Sequence, residues 1–364
     1  MLAQTLGQWV HDLSPFALRF SGDFGIRWYG LSYGLGFLVG WIVLRWLAAR
    51  GRIGLSVERV GDLMIAVMLG VIVGGRLGYV FFYQPALLLD FSAQFPFWGV
   101  LQLTRGGMAS HGGMIGVVIA AWMIARGAQD EMGRRVGRVP MWHVGDCLAA
   151  VAPAGLFFGR LANFINGELL GRVIAAPGEQ GPAWGVKFPQ ELIDGHAPRL
   201  SAEQTARLAT ILERFRLPSE ASVPYAEFFR TGVARMIASI QSGTAQGQKL
   251  AAEVAPLLAT RHPSQLYQAA AEGLVLAAVL WLIWRAPRLP GVVSAWFLIV
   301  YGLLRILTEF YRLPDAHLQL QRVLGLSRGQ WLSALMVVLG GVLLAYVLGR
   351  ARNREMPRMG GWGG

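Results

Sequence analysis

Apolar residues run almost unbroken through seven stretches of the chain, approximately Trp28–Leu47, Val60–Tyr83, Gly112–Arg126, Met141–Phe164, Gln265–Trp284, Val292–Tyr311 and Trp331–Leu348. A helix that crosses the hydrocarbon of a bilayer needs roughly 20 apolar residues. The pattern therefore predicts an all-α polytopic membrane protein with seven transmembrane helices, the third being the shortest. Glycine recurs at four-residue spacing, as Gly30 and Gly34, Gly36 and Gly40, then Gly70, Gly74 and Gly78. Small residues at that spacing let helix backbones approach closely in lipid, and helix packing is the expected role.

The pattern changes between spans four and five. Residues Pro177 to Pro198 are rich in Gly and Pro and read as loop or short strands. From Ser201 to Ala259 charged and apolar positions alternate at helical spacing, as in Ala206 to Phe215, which predicts two or three amphipathic helices. The organisation that follows is an N-terminal segment (1–27), spans one to four (28–166), an external head region (167–264) with a helical insert at about 201–259, spans five to seven (265–349) and a tail (350–364).

Composition agrees with burial in lipid. The chain is 54% hydrophobic and 15% charged, where a soluble domain carries about 25% charged residues. Lys and Arg number 33 against 21 Asp and Glu, a formal charge of +12. In a soluble protein that excess points to nucleic acid; here basic loops against an anionic membrane face explain it, and no nucleic-acid partner is expected. Fourteen arginines lie in the segments after spans one, three, five and seven: Arg45, Arg50, Arg52, Arg59, Arg126, Arg134, Arg135, Arg138, Arg285, Arg288, Arg350, Arg352, Arg354 and Arg358. The opposite short segments hold six, namely Arg19, Arg27, Arg105, Arg312, Arg322 and Arg328. The positive-inside rule then places the N-terminus outside and the C-terminus in the cytoplasm. The lone cysteine, Cys147, excludes an intrachain disulfide or a cysteine zinc cluster. The first 27 residues make a poor signal peptide, so the N-terminus is expected to be retained.

Ionisable residues inside a span are costly and mark a functional site or a structural pair. The topology puts Arg76, His111, Arg160, Asn163, Asn166, Tyr301, Arg305 and Glu309 at one outer depth, with Tyr301, Arg305 and Glu309 on one helix face at i, i+4, i+8. Three guanidiniums at the acyl–headgroup boundary need an anion, and the natural one there is a phospholipid phosphate. His111 is the only histidine of the set and a candidate general base. Structural readings stand beside these. Arg76 and Glu309 fit ion pairs between helices, Arg305 with Glu309 fits a self-satisfied helix pair, and Asn163 and Asn166 fit interhelical hydrogen bonding. Asp62 and Asp146 read as structural. His11, His143, His196 and His317 show no ligand spacing, so no metal site is expected.

Six segments now carry a resemblance: Trp28-Tyr29-Gly30, Gly74-Gly-Arg-Leu-Gly-Tyr79, Ser110-His-Gly-Gly113, Gly159-Arg-Leu-Ala-Asn-Phe-Ile-Asn-Gly-Glu-Leu-Leu-Gly-Arg172, Arg261-His-Pro-Ser-Gln-Leu-Tyr267 and Arg305-Ile-Leu-Thr-Glu-Phe-Tyr-Arg-Leu-Pro-Asp315. In this order they resemble the motifs of the bacterial prolipoprotein diacylglyceryl transferases. The resemblance implies an inner-membrane enzyme whose site opens to the periplasm and which needs no metal or organic cofactor. It implies two substrates, phosphatidylglycerol and the lipobox cysteine of a prolipoprotein signal peptide, joined as a thioether with release of glycerol 1-phosphate. The family's essential histidine falls on His111 and its two essential arginines on Arg160 and Arg305. Tyr29, Asn163, Glu168, Gly171, Tyr301 and Glu309 fall on other positions that matter to the family. The thiol proton is assigned to His111, with Glu309 or Glu168 as alternatives, and the phosphate to Arg160 and Arg305. The stretch from Gly171 to Arg261 is longer than the family's usual head region.

Three rivals remain in view. A transporter would string charges along a path, whereas these share one depth. A non-enzymatic phospholipid-binding protein would use the arginines without needing His111. An acyltransferase would need its own nucleophile, and Cys147 lies near the cytoplasmic end of span four.

Overall fold

The fold is that of a computed structural model describing residues 9–21, 24–93, 96–102, 106–129, 131–313, 327–353 and 357–363. Arg105, His317, Arg322 and Arg354, and Pro314 and Asp315 at the end of the last motif, lie outside the described residues, as do the side chains of Arg328 and Arg352.

The chain is mostly helical, and among the described residues six helical stretches are long and apolar enough to cross a membrane. They are α1 (Trp28–Ala49), α2 (Val57–Tyr83), α4 (Met141–Asn166), the run Ser264–Ile283, α10 (Val292–Glu309) and α11 (Arg328–Asn353). Between α2 and α4 stands α3 (Ser110–Ala125), whose 16 residues rise about 24 Å at 1.5 Å each, short of the roughly 30 Å hydrocarbon thickness. The helix begins at Ser110 because Gly106 and Gly107 take left-handed φ, 81° and 83°, and Ala109 is extended. The run Ser264–Ile283 changes form along its length: α8 (Ser264–Gln268), a π-helix over Ala269–Val275, then α9 (Leu276–Ile283).

The helical expectation holds for most of the chain, and among the described residues eight short strands are added to it, one of them, Val186–Lys187, within the stretch read as loop or short strands. Four build one sheet in the order β1 (Trp9–Val10), β7 (Val186–Lys187), β8 (Thr260–Arg261), β6 (Val173–Ala175), with β1 and β7 parallel and the other pairs antiparallel. Two more ribbons pair β2 (Phe16–Ser21) with β3 (Phe24–Arg27) and β4 (Ala128–Gln129) with β5 (Arg135–Val136). Most of these strands have two or three residues, too few for alternation to register in sequence.

The chain forms two compact units. The first comprises Met1–Gly34, Leu156–Val275 and Tyr301–Leu335. It holds the four-stranded sheet and three amphipathic helices in the stretch between 201 and 259: α5 (Ala202–Glu213), α6 (Tyr225–Ile240) and α7 (Ala245–Val254). Ser201 caps α5 in a reciprocal box with Gln204, and Thr244 caps α7, satisfying first-turn N–H groups. Their inward faces, including Leu208, Leu212, Phe228, Val233, Met236 and Val254, share one core with Val10, Leu192 and Leu257. Arg261 of β8 is fully buried and donates to Glu191, to the Gly171 carbonyl at 3.0 Å and to the His196 carbonyl at 2.7 Å, tying the sheet to the segments on either side.

The second unit comprises Leu35–Gly155, Leu276–Val300 and Met336–Gly364. Here the glycine spacing in α2 meets its complement in α3: Gly70 and Gly74 lie against the Gly116 and Gly112 carbonyls, and a Cβ on Gly78 would stand 2.8 Å from Gly112 Cα. By contrast, a Cβ on Gly30 or Gly34 would meet nothing within 4 Å, so the packing role fits α2 and not the start of α1. Asp146 is structural as expected, accepting from the Gly291 and Ser294 N–H groups at 2.7 Å each and from Ser294 Oγ at 2.8 Å.

Candidate active site

The charged residues of the first unit gather around a carboxylate absent from the sequence-based candidates. Glu272 sits in the π-helical segment, fully buried. Arg160, one and a half turns before the end of α4, donates Nε and Nη2 to Glu272 Oε2 at 3.0 and 2.9 Å. Arg305 of α10 holds Nη1 3.8 Å from Glu272 Oε1, and Thr308 Oγ1 donates to that same oxygen at 3.4 Å. One carboxylate thus stands between two guanidiniums drawn from separate helices. A carboxylate inside an apolar run is the very signal that singled out Glu309; applied to span five it picks out Glu272.

The expected face of α10 is present. Arg305 Nη1 lies 3.0 Å from Glu309 Oε2, and Arg312 Nη1 lies 3.8 Å from that oxygen. Ser327 Oγ donates to Glu309 Oε1 at 3.2 Å. Distance and direction disagree for the first contact: it is close enough for an ion pair, yet neither Arg305 Nη1 nor Glu309 Oε2 makes a directed hydrogen bond. Coulomb attraction survives poor alignment and a hydrogen bond does not, so this contact is an ion pair whose donors are not locked. The Tyr301 hydroxyl lies in the field of Glu272, Arg160 and Arg305, which completes the i, i+4, i+8 row.

On α4, Asn163 donates Nδ2 to the Tyr29 hydroxyl at the start of α1. Asn166, the last helical residue, donates Nδ2 to Glu168 Oε1 at 2.8 Å. Beyond it Gly167 and Leu169 adopt left-handed φ of 68° and 55° and reverse the chain, so that Leu313 N–H reaches the Leu170 carbonyl at 3.0 Å and Arg172 N–H the Tyr311 carbonyl at 2.9 Å. Glu168 lies just past the helix, where burial pushes its carboxyl above the usual carboxylate range. Gly171 is required by close approach, because a Cβ there would collide with the His262 carbonyl.

Arg76 and His111 belong to the second unit. The Arg76 guanidinium is buried and donates to four carbonyls: Val100 (2.7 Å), Gly99 (2.7 Å), Gly106 (2.8 Å) and Gly107 (3.0 Å). With five N–H donors on the group, Arg76 is largely committed to shaping the turn before α3. His111, in the first turn of α3, packs edge-on against Phe82 at 5.1 Å and against Tyr83 at 5.8 Å between ring centroids. Among the described residues no group of three or more His, Cys, Asp or Glu is placed to hold a metal ion.

Comparison with known proteins adds a separate finding. The family described as prolipoprotein diacylglyceryl transferase matches residues 15–346. The chain is 44% identical over 363 residues to a phosphatidylglycerol–prolipoprotein diacylglyceryl transferase of Bdellovibrio bacteriovorus, covering 97% of each chain. It is 36% identical over 348 residues to one of an Azoarcus species, covering 94% of this chain and 99% of that one. It is 37% identical over 340 residues to one of Rhodospirillum rubrum, covering 92% and 93%.

Proposed function

This chain belongs to the prolipoprotein diacylglyceryl transferase family, and from that premise we propose that it moves the diacylglyceryl group of phosphatidylglycerol onto the lipobox cysteine of prolipoproteins, with Arg160 and Arg305 as the phosphate clamp. The observation that carries the reading is the convergence of these two guanidiniums on Glu272. Glu272 is the positioning residue of the pair. It holds the Arg160 fork by two hydrogen bonds and faces Arg305 at 3.8 Å, while Glu309 pairs with Arg305 and Arg312; three guanidiniums against two carboxylates keep a net positive charge that attracts a phosphodiester.

In the reaction the cysteine sulfur attacks the diacylglyceryl carbon that bears the phosphate oxygen. The carbon–sulfur bond forms, the carbon–oxygen bond breaks, and the electron pair leaves on glycerol 1-phosphate. Preorganised arginines stabilise the charge that develops on the departing phosphate. The thiol proton passes to His111, because the thiolate is the reactive species, and the leaving phosphate takes up the proton at the end. Glu309 is poorly placed as the base, since its carboxylate already faces the Arg305 and Arg312 guanidiniums. Glu168, raised by burial, is the better carboxylate alternative. Tyr29, Asn163, Asn166, Glu168 and Tyr301 line the lipid and peptide path, Gly171 lets the head region close on it, and Arg76 shapes the turn before α3. The membrane arrangement that suits this chemistry is the seven-span one, N-terminus and head region in the periplasm, C-terminus in the cytoplasm of a bacterial inner membrane, the 201–259 helices being an enlarged part of the head.

The test is thioether formation by purified protein with phosphatidylglycerol and a lipobox peptide. Arg160→Ala and Arg305→Ala are each expected to lose roughly 10²–10³-fold in kcat. His111→Ala is expected to recover as pH rises from about 7 to about 9, where a free thiol of pKa about 8.5 ionises unaided, whereas the arginine variants are not. Activity surviving both arginine changes would remove the clamp, and an alanine at 111 without effect would favour Glu168.

A further inference from the structure

Four buried carboxamides in the first unit keep an unpartnered atom; Gln190 stands beside His11, and the other three are left over by the phosphate clamp. Gln268, the last residue of α8, is 0% exposed, and neither its Nε2 nor its Oε1 has a hydrogen-bond partner. Gln265, also 0% exposed, gives Nε2 to the Glu168 carbonyl and keeps a buried, unpartnered Oε1. Asn166 gives Nδ2 to Glu168 and keeps a buried, unpartnered Oδ1. Native proteins seldom leave such atoms unmatched, because each costs the desolvation of a polar group.

Their placement is not random. Gln265 and Gln268 stand at i and i+3, and Gln268 and Glu272 at i and i+4, so the three share a helix face. Gln268 is therefore stacked between the level at which Gln265 meets Glu168 and the level at which Glu272 holds Arg160. It also sits where the α-helix widens into the π-helical segment, a feature that frequently accompanies functional sites.

The free atoms specify a ligand chemistry. Three are acceptors (Gln268 Oε1, Gln265 Oε1, Asn166 Oδ1) and one is an amide donor, Gln268 Nε2. All are neutral, and an excess of acceptors calls for a partner that donates, which means hydroxyl groups. We infer that Gln268, with Gln265 and Asn166, forms a neutral subsite for the vicinal hydroxyls of the lipid's headgroup glycerol, and that Gln268 sets the preference for a polyol phosphodiester. This rests on the transferase reading above, in which the departing phosphate carries that glycerol. An amide pair matches a diol in donors and acceptors without competing for the phosphate, which stays with the arginines.

The experiment compares the full-length wild type with Gln268→Leu. Replacing an unpartnered buried amide by an apolar group of its own size is close to neutral for folding; Gln268→Met serves as a second variant should the leucine fail to fold. The readouts are KM for phosphatidylglycerol with the lipobox peptide, and inhibition by phosphatidic acid, which has the phosphate but no headgroup glycerol. The expected result is a KM raised about tenfold or more with phosphatidic acid inhibition unchanged. A KM within about twofold of wild type would overturn the inference, the carboxamides then holding water alone. Equal weakening of both lipids would overturn it too, as a loss of general shape. Displacement of a fluorescent phosphatidylglycerol by each lipid reads the same preference without turnover. An inactive wild type would thus count against the transferase reading, while the headgroup preference still decides this one.

Discussion

Arg160 gives both Nε and Nη2 to a single oxygen of Glu272, at 3.0 and 2.9 Å, and the other oxygen of that carboxylate faces Arg305 at 3.8 Å. The carboxylate is completely buried and the two guanidinium side chains nearly so, 16% and 12% exposed. Burying one partner of such a pair without the other is strongly destabilising. Glu272→Ala is accordingly expected to lower stability by about 3–5 kcal/mol, read as a drop in the apparent Tm of the detergent-solubilised protein. Glu272→Gln keeps the shape and removes the charge that holds Arg160 and faces Arg305. Its kcat is expected to fall on the order of 10²-fold, the penalty for a misplacement near 1 Å, with KM for the lipobox peptide little changed. A fully active Glu272→Gln would show that the arginines need no anchor.

His11 offers a pH dependence with a definite sign. It is 0% exposed, with Nε2 2.8 Å from the Phe164 carbonyl and Nδ1 3.3 Å from Gln190 Nε2. Burial pushes its pKa down from 6.5 to about 4. Between those values the unfolded chain binds more protons than the folded one, so the contribution of His11 is complete above about pH 6.5 and is lost as pH falls toward 4. By pH 5 the loss is about 2 kcal/mol, roughly 3 °C in Tm. His11→Gln, which does not titrate there, should show a shallower decline between pH 7.5 and pH 5 (both roughly bracketing the window); parallel curves for the two proteins would refute the assignment.

The α2–α3 pair supplies a prediction about packing. Gly78 leaves 2.8 Å between an added Cβ and Gly112 Cα, which is backbone and cannot swing aside. Gly78→Val is expected to cost about 1–3 kcal/mol through forced separation of the helices. Gly30→Ala, where a Cβ meets nothing within 4 Å, should leave Tm unchanged. Thermal unfolding of the two variants side by side checks the contrast.

The sequence carried the helices and the chemistry in unequal measure. Runs of apolar residues locate α1, α2, α4, α10 and α11 to within a few residues because hydropathy is local. Of the strands only Val186–Lys187 fell in a stretch read as loop or short strands, and most of the others escaped because two or three residues cannot display a period. Arg305 with Glu309 was legible as a pair because both lie on one helix face. Arg160 with Glu272 was not, since their partnership spans 112 positions and no periodicity links one helix to another. Arg76 likewise carries in sequence the marks of an anion ligand, yet four carbonyls from the turn at 99–107 take its donors.

By itself, then, the chain's order of residues determined which segments are apolar enough for lipid, which motifs mark the family, and that arginines, a histidine and carboxylates lie among those segments. Tertiary structure alone decided which charge answers which, that Glu272 stands between Arg160 and Arg305, and that the buried Gln268 carboxamide is left without a partner. The reason is physical. Transfer into an apolar medium is a sum over local residues, whereas pairing of a buried charge depends on distance and direction between atoms that only folding brings together.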